Sequence, residues 1–394
     1  MDATLSRVWD QTHGKVVRSG AMPRRTPAAR AGIALAELPE RYALPAAILR
    51  LAMTPRRWEP WNSFNEHRAY PSPRAAWLVD VSVVEGHRRW LVDPVRDRLA
   101  GRTDAPVGSG TTVTLDLTLH PERLPAGYAA LAEVLTWLEA GHVAAALADS
   151  AAAHGWTATA DLDDDSELTV TLRAGGDRDV DVRAWSDNAG TRRASAARPR
   201  PAARRTSGLG PRGLSADPGP LLEGTLAALA QAAHRHPAGS PAGWPGLRHR
   251  AVAARIAGLT DGLYTLDGGT TDLISAEPTM EAVQQSFSYP RDKLDVAGMN
   301  VGWVITADVP AAVRAGGLAA YRRLLLAAGA IGQHVGAAAA GAGLFCRPAR
   351  SVHEAHLEAA VAAPAAEDFL YLLLIGRSRP RDFAYDLTPP EVLP

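Results

Sequence analysis

Glu139 and His142 are the pair in this chain whose types and spacing best suit proton transfer. Three positions apart, they share a face of any helix that carries them. The imidazole changes charge near neutral pH, and the carboxylate can share its proton. The same two residues could instead be a hydrogen-bonded contact between packed halves. Other constellations carry less chemistry. His234, His236 and His249, and the pair His353 and His356, have no carboxylate at metal-ligand spacing and read as surface or capping residues. Asp161, Asp163, Asp164 and Asp165 run through Ser166-Glu167 into a strand pattern without the glycine of a calcium loop, so they read as an acidic turn. The single cysteine, Cys346, excludes an internal disulfide and a cysteine-based zinc site, and reads as a small core residue. No serine or cysteine stands in a nucleophile-elbow context. No dinucleotide glycine fingerprint and no Walker-type loop is present: Gly208-Leu209-Gly210 has the wrong spacing and no strand before it.

The elements that must position these residues follow from period and punctuation. The first 35 or so residues have no clear period and read as irregular. Residues 38–53 read as an amphipathic helix, and 57–73 as a polar, aromatic loop closing on Pro71-Ser72-Pro73. Residues 76–84 and 89–92 form a predicted hairpin about Gly86-His87, and 111–119 alternates threonine with apolar residues as a strand. Residues 128–153 are a long helix rich in small residues. Strands are expected at 157–160, 168–172 and 180–184. Residues 192–219 are rich in Arg, Ala, Pro and Gly and read as a linker. Then come a helix at 221–234, a loop at 239–246, strands at 250–256, 262–266 and 301–307, a second long helix at 318–340, a helix at 352–361 and a strand at 370–375. Hairpins alternating with long helices predict an α+β fold rather than a doubly wound parallel sheet.

Composition sets the outer bounds. At 394 residues there is room for two ordinary domains, and 46% hydrophobic content is usual for a globular chain. Formal net charge is zero, so no global field draws the chain to nucleic acid or an acidic membrane. The basic residues are nearly all arginine, with only Lys15 and Lys293 as lysines, which fits GC-rich coding. No signal-peptide pattern opens the chain, and no apolar run of about 18 residues predicts a membrane span, so a cytoplasmic location is expected.

The two halves read as copies. Leu138-Glu139-Ala140-Gly141-His142 answers Leu326-Ala327-Ala328-Gly329-Ala330, and Gly141 and Gly155 stand as far apart as Gly329 and Gly343. Trp90-Leu91-Val92-Asp93 answers Leu263-Tyr264-Thr265-Leu266-Asp267, and Pro71-Ser72-Pro73 answers Ser240-Pro241-Ala242-Gly243. Two copies of a fold that dimerises would pack as a one-chain pseudo-dimer. The expected division is a degenerate domain over 1–190, a linker over 191–219 and a second domain over 205–394.

Over most of 205–379 these landmarks resemble the flavin-dependent nitroreductase superfamily, and within it the SagB-type azoline dehydrogenases. Gly210-Pro211-Arg212-Gly213-Leu214 stands where that family has an arginine-rich opening motif. Ser240-Pro241-Ala242-Gly243 is similar to its P-S-x-G-G loop. Gly262-Leu263-Tyr264-Thr265-Leu266-Asp267 is similar to its G-L-Y-x-Y-D hairpin, Tyr321-Arg322 to the pair opening its long helix, and Ile375-Gly376-Arg377 to its closing strand and basic turn. Residues 38–185 resemble the same core, with Arg68-Ala69-Tyr70-Pro71-Ser72 as the R-x-x-P-S loop and Glu139-Ala140-Gly141-His142 as an E-A-G-H helix motif.

The resemblance implies two nitroreductase-like domains, each an antiparallel or mixed sheet with flanking helices, forming a pseudo-dimer with FMN at the interface. It implies one composite site. Arg212 and Arg377 would take the phosphate, with Arg205, Ser207 and Arg379 in reserve and Tyr321-Arg322 nearby, while Pro71 and Ser72 approach the ring. Guanidinium forks suit a phosphate dianion. A mirror site using Ser240 and Arg183 is expected to have decayed. The implied activity is dehydrogenation of thiazolines or oxazolines to azoles in a ribosomally made peptide, with a cyclodehydratase as a possible partner. The family's Lys-Tyr pair falls on Gly127-Tyr128, leaving Tyr128 as a candidate acid or base, with Glu139 and His142 beside the flavin. The missing lysine favours an alternative, a catalytically silent scaffold that binds a peptide or a cyclodehydratase. A small-molecule nitro or flavin reductase is a third reading.

Overall fold

The computed structural model describes residues 3–12, 31–62, 64, 66–163, 167–175, 205–210, 213–234, 246–379 and 384–387. The expected strand at 180–184, the loop at 239–246 apart from Gly246, and most of the linker lie outside them.

Two antiparallel sheets flank a pair of long helices. Six strands of the first sheet, Val79–Glu85, Arg88–Asp93, Arg98–Ala100, Thr112–Leu119, Trp156–Leu162 and Leu168–Ala174, lie side by side in the order third, second, first, fourth, sixth, fifth. Six strands of the second, Arg248–Ala253, Gly262–Asp267, Thr270–Ser275, Val301–Ala307, Leu344–Ala349 and Asp368–Ser378, take the same order. In each sheet a long helix joins the fourth strand to the fifth: Leu131–Ala152 in the first half, Val309–Gly341 in the second. The second helix is kinked at Gly316 and Gly317, the latter at φ +61°, a conformation a side chain disfavours. The straight run after the kink is the helix expected from residue 318.

The two long helices meet backbone to backbone. A Cβ on Gly141 would lie 2.1 Å from the Leu326 carbonyl oxygen, and one on Gly329 would lie 2.0 Å from that of Leu138. The contact is reciprocal: Gly141 meets the residue three before Gly329, and Gly329 the residue three before Gly141. That is the signature of an isologous, two-fold interface. Both helices are long and apolar enough to cross a membrane by composition, but 72% and 78% of their most apolar windows are buried inside the molecule. They are core helices.

The closing strand shows why its sequence is one apolar run. Tyr371, Leu373 and Ile375 face the helix-side core, while Phe369, Leu372 and Leu374 face a second core under the helices Met280–Gln285 and Glu354–Ala360. A strand covered on both faces loses the polar alternation of a half-exposed one.

Three expectations need correction. The opening segment contains a helix, Ala3–Thr12, packed against both long helices. Its Leu5 and Val8 are buried, but ten residues give too short a window for the period to stand out. The expected linker ends early, because Leu209–Gly210 and Gly213–Asp217 are strands of the second sheet, the latter paired with its closing strand. The 57–73 loop carries two short strands, Arg57–Trp58 and Glu66–His67, and Tyr385–Asp386 adds a third from the far end of the chain.

Candidate functional site

The loop 68–78 of the first half is where half of the predicted site residues meet. It turns sharply: Arg74, Ala75 and Trp77 all have φ near +50°, a strained region for residues with side chains, at about 1–3 kcal/mol each. Glu139 holds it in place. Its carboxylate is 1% exposed, accepts from Ser72 Oγ at 2.6 Å and from the Leu78 N–H at 2.8 Å, and also takes the Val79 N–H. Ser72 Oγ accepts in turn from the Trp77 N–H at 2.8 Å. Burial raises the Glu139 pKa to about 7, against the pull of those donors.

His142 faces the other half. Its Nδ1 lies 3.2 Å from Gln333 Oε1 and its Nε2 3.0 Å from the Tyr371 hydroxyl. The Gln333 amide donates to the Ala69 carbonyl at 2.9 Å, so its oxygen is left to accept from Nδ1–H. Nε2 is then the acceptor for Tyr371. Burial pushes the His142 pKa down to about 3, so the ring is neutral. Glu139 and His142 therefore share a helix but not a hydrogen bond: one secures the loop, the other ties the halves together.

Arg205 reaches the same loop from the second half. It is 6% exposed, and its Nη2 donates to the Tyr70 carbonyl at 3.1 Å. Its Nε and Nη1 have no partner among the described residues. Burial, and after it the Arg57 guanidinium, push its pKa down to about 10, which still leaves it charged. Ser207 is half-buried two residues on, and Pro71 is half-buried in the loop. Tyr128 closes the rim, half-buried and hydrogen-bonded to Arg74; its pKa is raised, first by burial. Tyr289 of the second half is within electrostatic range of both Tyr128 and Arg347.

The remaining arginines stand elsewhere. Arg377 donates to the Pro220 carbonyl at 2.6 Å and lies 3.8 Å from Asp217, and Arg379 donates to the Ala216 carbonyl at 3.0 Å. Arg322 pairs with Glu133 of the first long helix at 2.9 Å and covers the Trp137 ring. Tyr321 is buried near Arg350, Glu354 and Asp368. Arg212, and the mirror-site residues Ser240 and Arg183, lie outside the described residues. Among the described residues no cluster could hold a metal ion.

Sequence reasoning missed Gln333, Tyr371, Arg57 and Arg74. Gln333 was the legible one, a polar residue inside an apolar helix, 1% exposed. Tyr371 is a phenol hidden in an otherwise aliphatic strand.

Two cavities open away from this loop. One, about 440 Å³, is lined by Arg50, Trp58, Val95 and Leu387, and the other, about 490 Å³, by Asp116, Leu119, Trp137 and Arg322. What the loop junction offers instead is a buried cation with two donor nitrogens unmet among the described residues. Such donors suit an anion, as the phosphate of FMN would be, with Arg205, Ser207 and the Pro71-Ser72 turn at hand to hold it. Arg377 and Arg379 each give one donor to a backbone carbonyl of the second half.

No family model matches the chain, and no curated protein matches it. Among solved structures, a nitroreductase-like protein of Anabaena variabilis superimposes on 95% of this chain and 99% of its own, with a TM-score of 0.73 at 13% identity. A nitroreductase-like protein of Ralstonia eutropha matches 46% of the chain and 83% of its own at 21% identity and a TM-score of 0.37. A chain of the Escherichia coli microcin synthetase complex with truncated pro-MccB17 bound matches 45%, and 70% of its own, at 14% identity and a TM-score of 0.38. Likenesses as loose as these last two carry no functional weight. The first covers 95% of this chain, and it gives the fold: a nitroreductase-like α+β architecture, in which two sheets of like strand order flank two long helices.

Proposed function

We propose that the chain is an FMN-dependent oxidoreductase that dehydrogenates azolines to azoles in a ribosomally made peptide. In this reading the two halves, 1–190 and 205–394, descend from one duplicated domain and share a single flavin at the 68–78 loop. The observation that carries it is Arg205, a buried guanidinium from one half with two unmet donors, set against the Pro71-Ser72 turn of the other. The azoline specificity rests on the sequence motifs alone.

Bound flavin would supply the hydride acceptor. The chain's own residues have narrower tasks. Arg205 and Ser207 hold the anionic end. Glu139 fixes the loop that approaches the ring. Tyr128, whose phenol stays protonated at neutral pH, would orient substrate as a hydrogen-bond donor, and the proton lost from the ring carbon would leave to solvent. No lysine stands beside it, since Gly127 fills that position.

One observation favours a second reading, a catalytically silent, flavoprotein-like scaffold that binds a peptide or a cyclodehydratase. Gly127 stands where the motif resemblance implies a lysine. The test separates the two. Purified protein supplied with FMN and a thiazoline peptide, in air, is expected to yield azole product lacking two hydrogens by mass spectrometry. Flavin uptake without turnover of any azoline peptide would remove the azoline assignment and favour the scaffold, and no uptake at all would contradict a flavin site.

A further inference from the structure

Arg57 has no assigned role, yet it pairs across its strand with His67, three residues before the Tyr70 carbonyl that Arg205 binds. It comes from the first half, on the short strand Arg57–Trp58, which is paired with Glu66–His67 and with Tyr385–Asp386. Its Nε donates to Glu59 at 2.8 Å, but its Nη2 is buried without a partner among the described residues. Arg57 and Arg205 each act on the other group that faces them, His67, and both depress its pKa, though burial is the larger cause. Glu59 is bonded to His67 at 2.9 Å and to Asn62 at 2.9 Å as well as to Arg57. Asp386, the cross-strand partner of Arg57, is a second carboxylate on that side, while Arg205 makes no ion pair among the described residues. Three buried nitrogens from the two arginines remain without a partner among the described residues.

Like charges held together away from water are costly unless an anion joins them. We propose that Arg57 and Arg205, one from each half, form a two-guanidinium clamp for a phosphate monoester, which on the reading above is the phosphate of FMN. The clamp differs from the arrangement implied by resemblance, in which every phosphate arginine comes from the second half. It also gives the tail strand Tyr385–Asp386 a task, since that strand pairs with Trp58 and Arg57 and fixes their register.

The test is a thermal-shift and equilibrium-binding series on the full chain with FMN, riboflavin and inorganic phosphate, comparing the parent with Arg57→Ala and Arg57→Gln. The parent should bind FMN more tightly than riboflavin. Loss of charge-assisted bonds should weaken FMN about ten- to hundredfold in both variants and leave riboflavin unchanged. An undiminished preference for FMN in a folded Arg57 variant would overturn the clamp while leaving the flavin reading intact. Stabilisation of the parent but not the variants by inorganic phosphate, with no flavin bound, would keep the clamp and remove the flavin. No response to any of the three ligands would overturn both. If Arg57→Ala does not fold, Arg57→Gln, which keeps a donor for Glu59, carries the comparison.

Discussion

A buried arginine with unmet donors is expensive to the empty protein, and that cost makes Arg205 testable without any substrate. Arg205→Met replaces the guanidinium with an apolar chain of similar reach. Relief of an unpaired buried charge should stabilise the ligand-free protein by roughly 1–4 kcal/mol. The same variant should lose the stabilisation that added FMN gives the parent. A variant that is less stable than the parent when empty would mean that Arg205 is a structural tie through its bond to Tyr70. Glu139 offers a second test, through pH. Its folded pKa, about 7, is raised above the ordinary 4.5 by burial. Between those values the folded state binds more protons than the unfolded one, so this group lowers stability as pH rises through the window and adds nothing further above it. Glu139→Gln keeps an acceptor for the Leu78 N–H and removes that slope. Relative to the parent, the variant should gain roughly 2–3 kcal/mol between about pH 4.5 and 7.5 in denaturant titrations. A difference that does not change with pH would show that the carboxyl is ionised throughout.

The elements that matter most are the two long helices. Their small residues were legible as a sign of close approach, and Gly141 and Gly329 are where it happens, with no space for a methyl group on either. Gly329→Ala would drive a Cβ into the Leu138 carbonyl and should cost about 1–3 kcal/mol or more, read as a fall in melting temperature. Gly343→Ala makes a useful contrast. Its Cβ would meet nothing within 4 Å, and its penalty comes from a φ of +73° alone. Equal losses from both would count against backbone contact as the organising feature. Elements whose sequence repeats a clear period were readable: the hairpin at 79–93, the strand Thr112–Leu119 and both long helices stand within a few residues of expectation. Short or covered elements were not. The strand Leu344–Ala349 interrupts its apolar run with Arg347 and Pro348, and the edge strand Thr270–Ser275 is nearly all exposed, so neither shows an alternating face.

At the scale of the whole molecule, the repeated order of landmarks in the sequence has its counterpart in two sheets with the same strand order and a reciprocal helix crossing. The candidate site was legible in part. Pro71 and Ser72 belong to one loop, Tyr128, Glu139 and Arg205 bond to it, and His142 reaches it through Gln333. Their roles were less readable. Glu139 and His142 looked like one pair in sequence, yet they serve different partners, Ser72 on one side and Gln333 with Tyr371 on the other, and only packing decides that. The arginines were the hardest to read, since 40 of them compete for each role and a guanidinium reaches far from its own backbone; Arg377 and Arg379 turn to nearby carbonyls.

The claim on which all this depends is a single flavin held between unlike halves. Titrating purified protein with FMN and counting bound flavin per chain by its absorbance tests it most directly. One equivalent, lost in Arg205→Met, is the predicted result. A protein that takes up none, or that binds two equivalents with Arg205→Met unaffected, would contradict it.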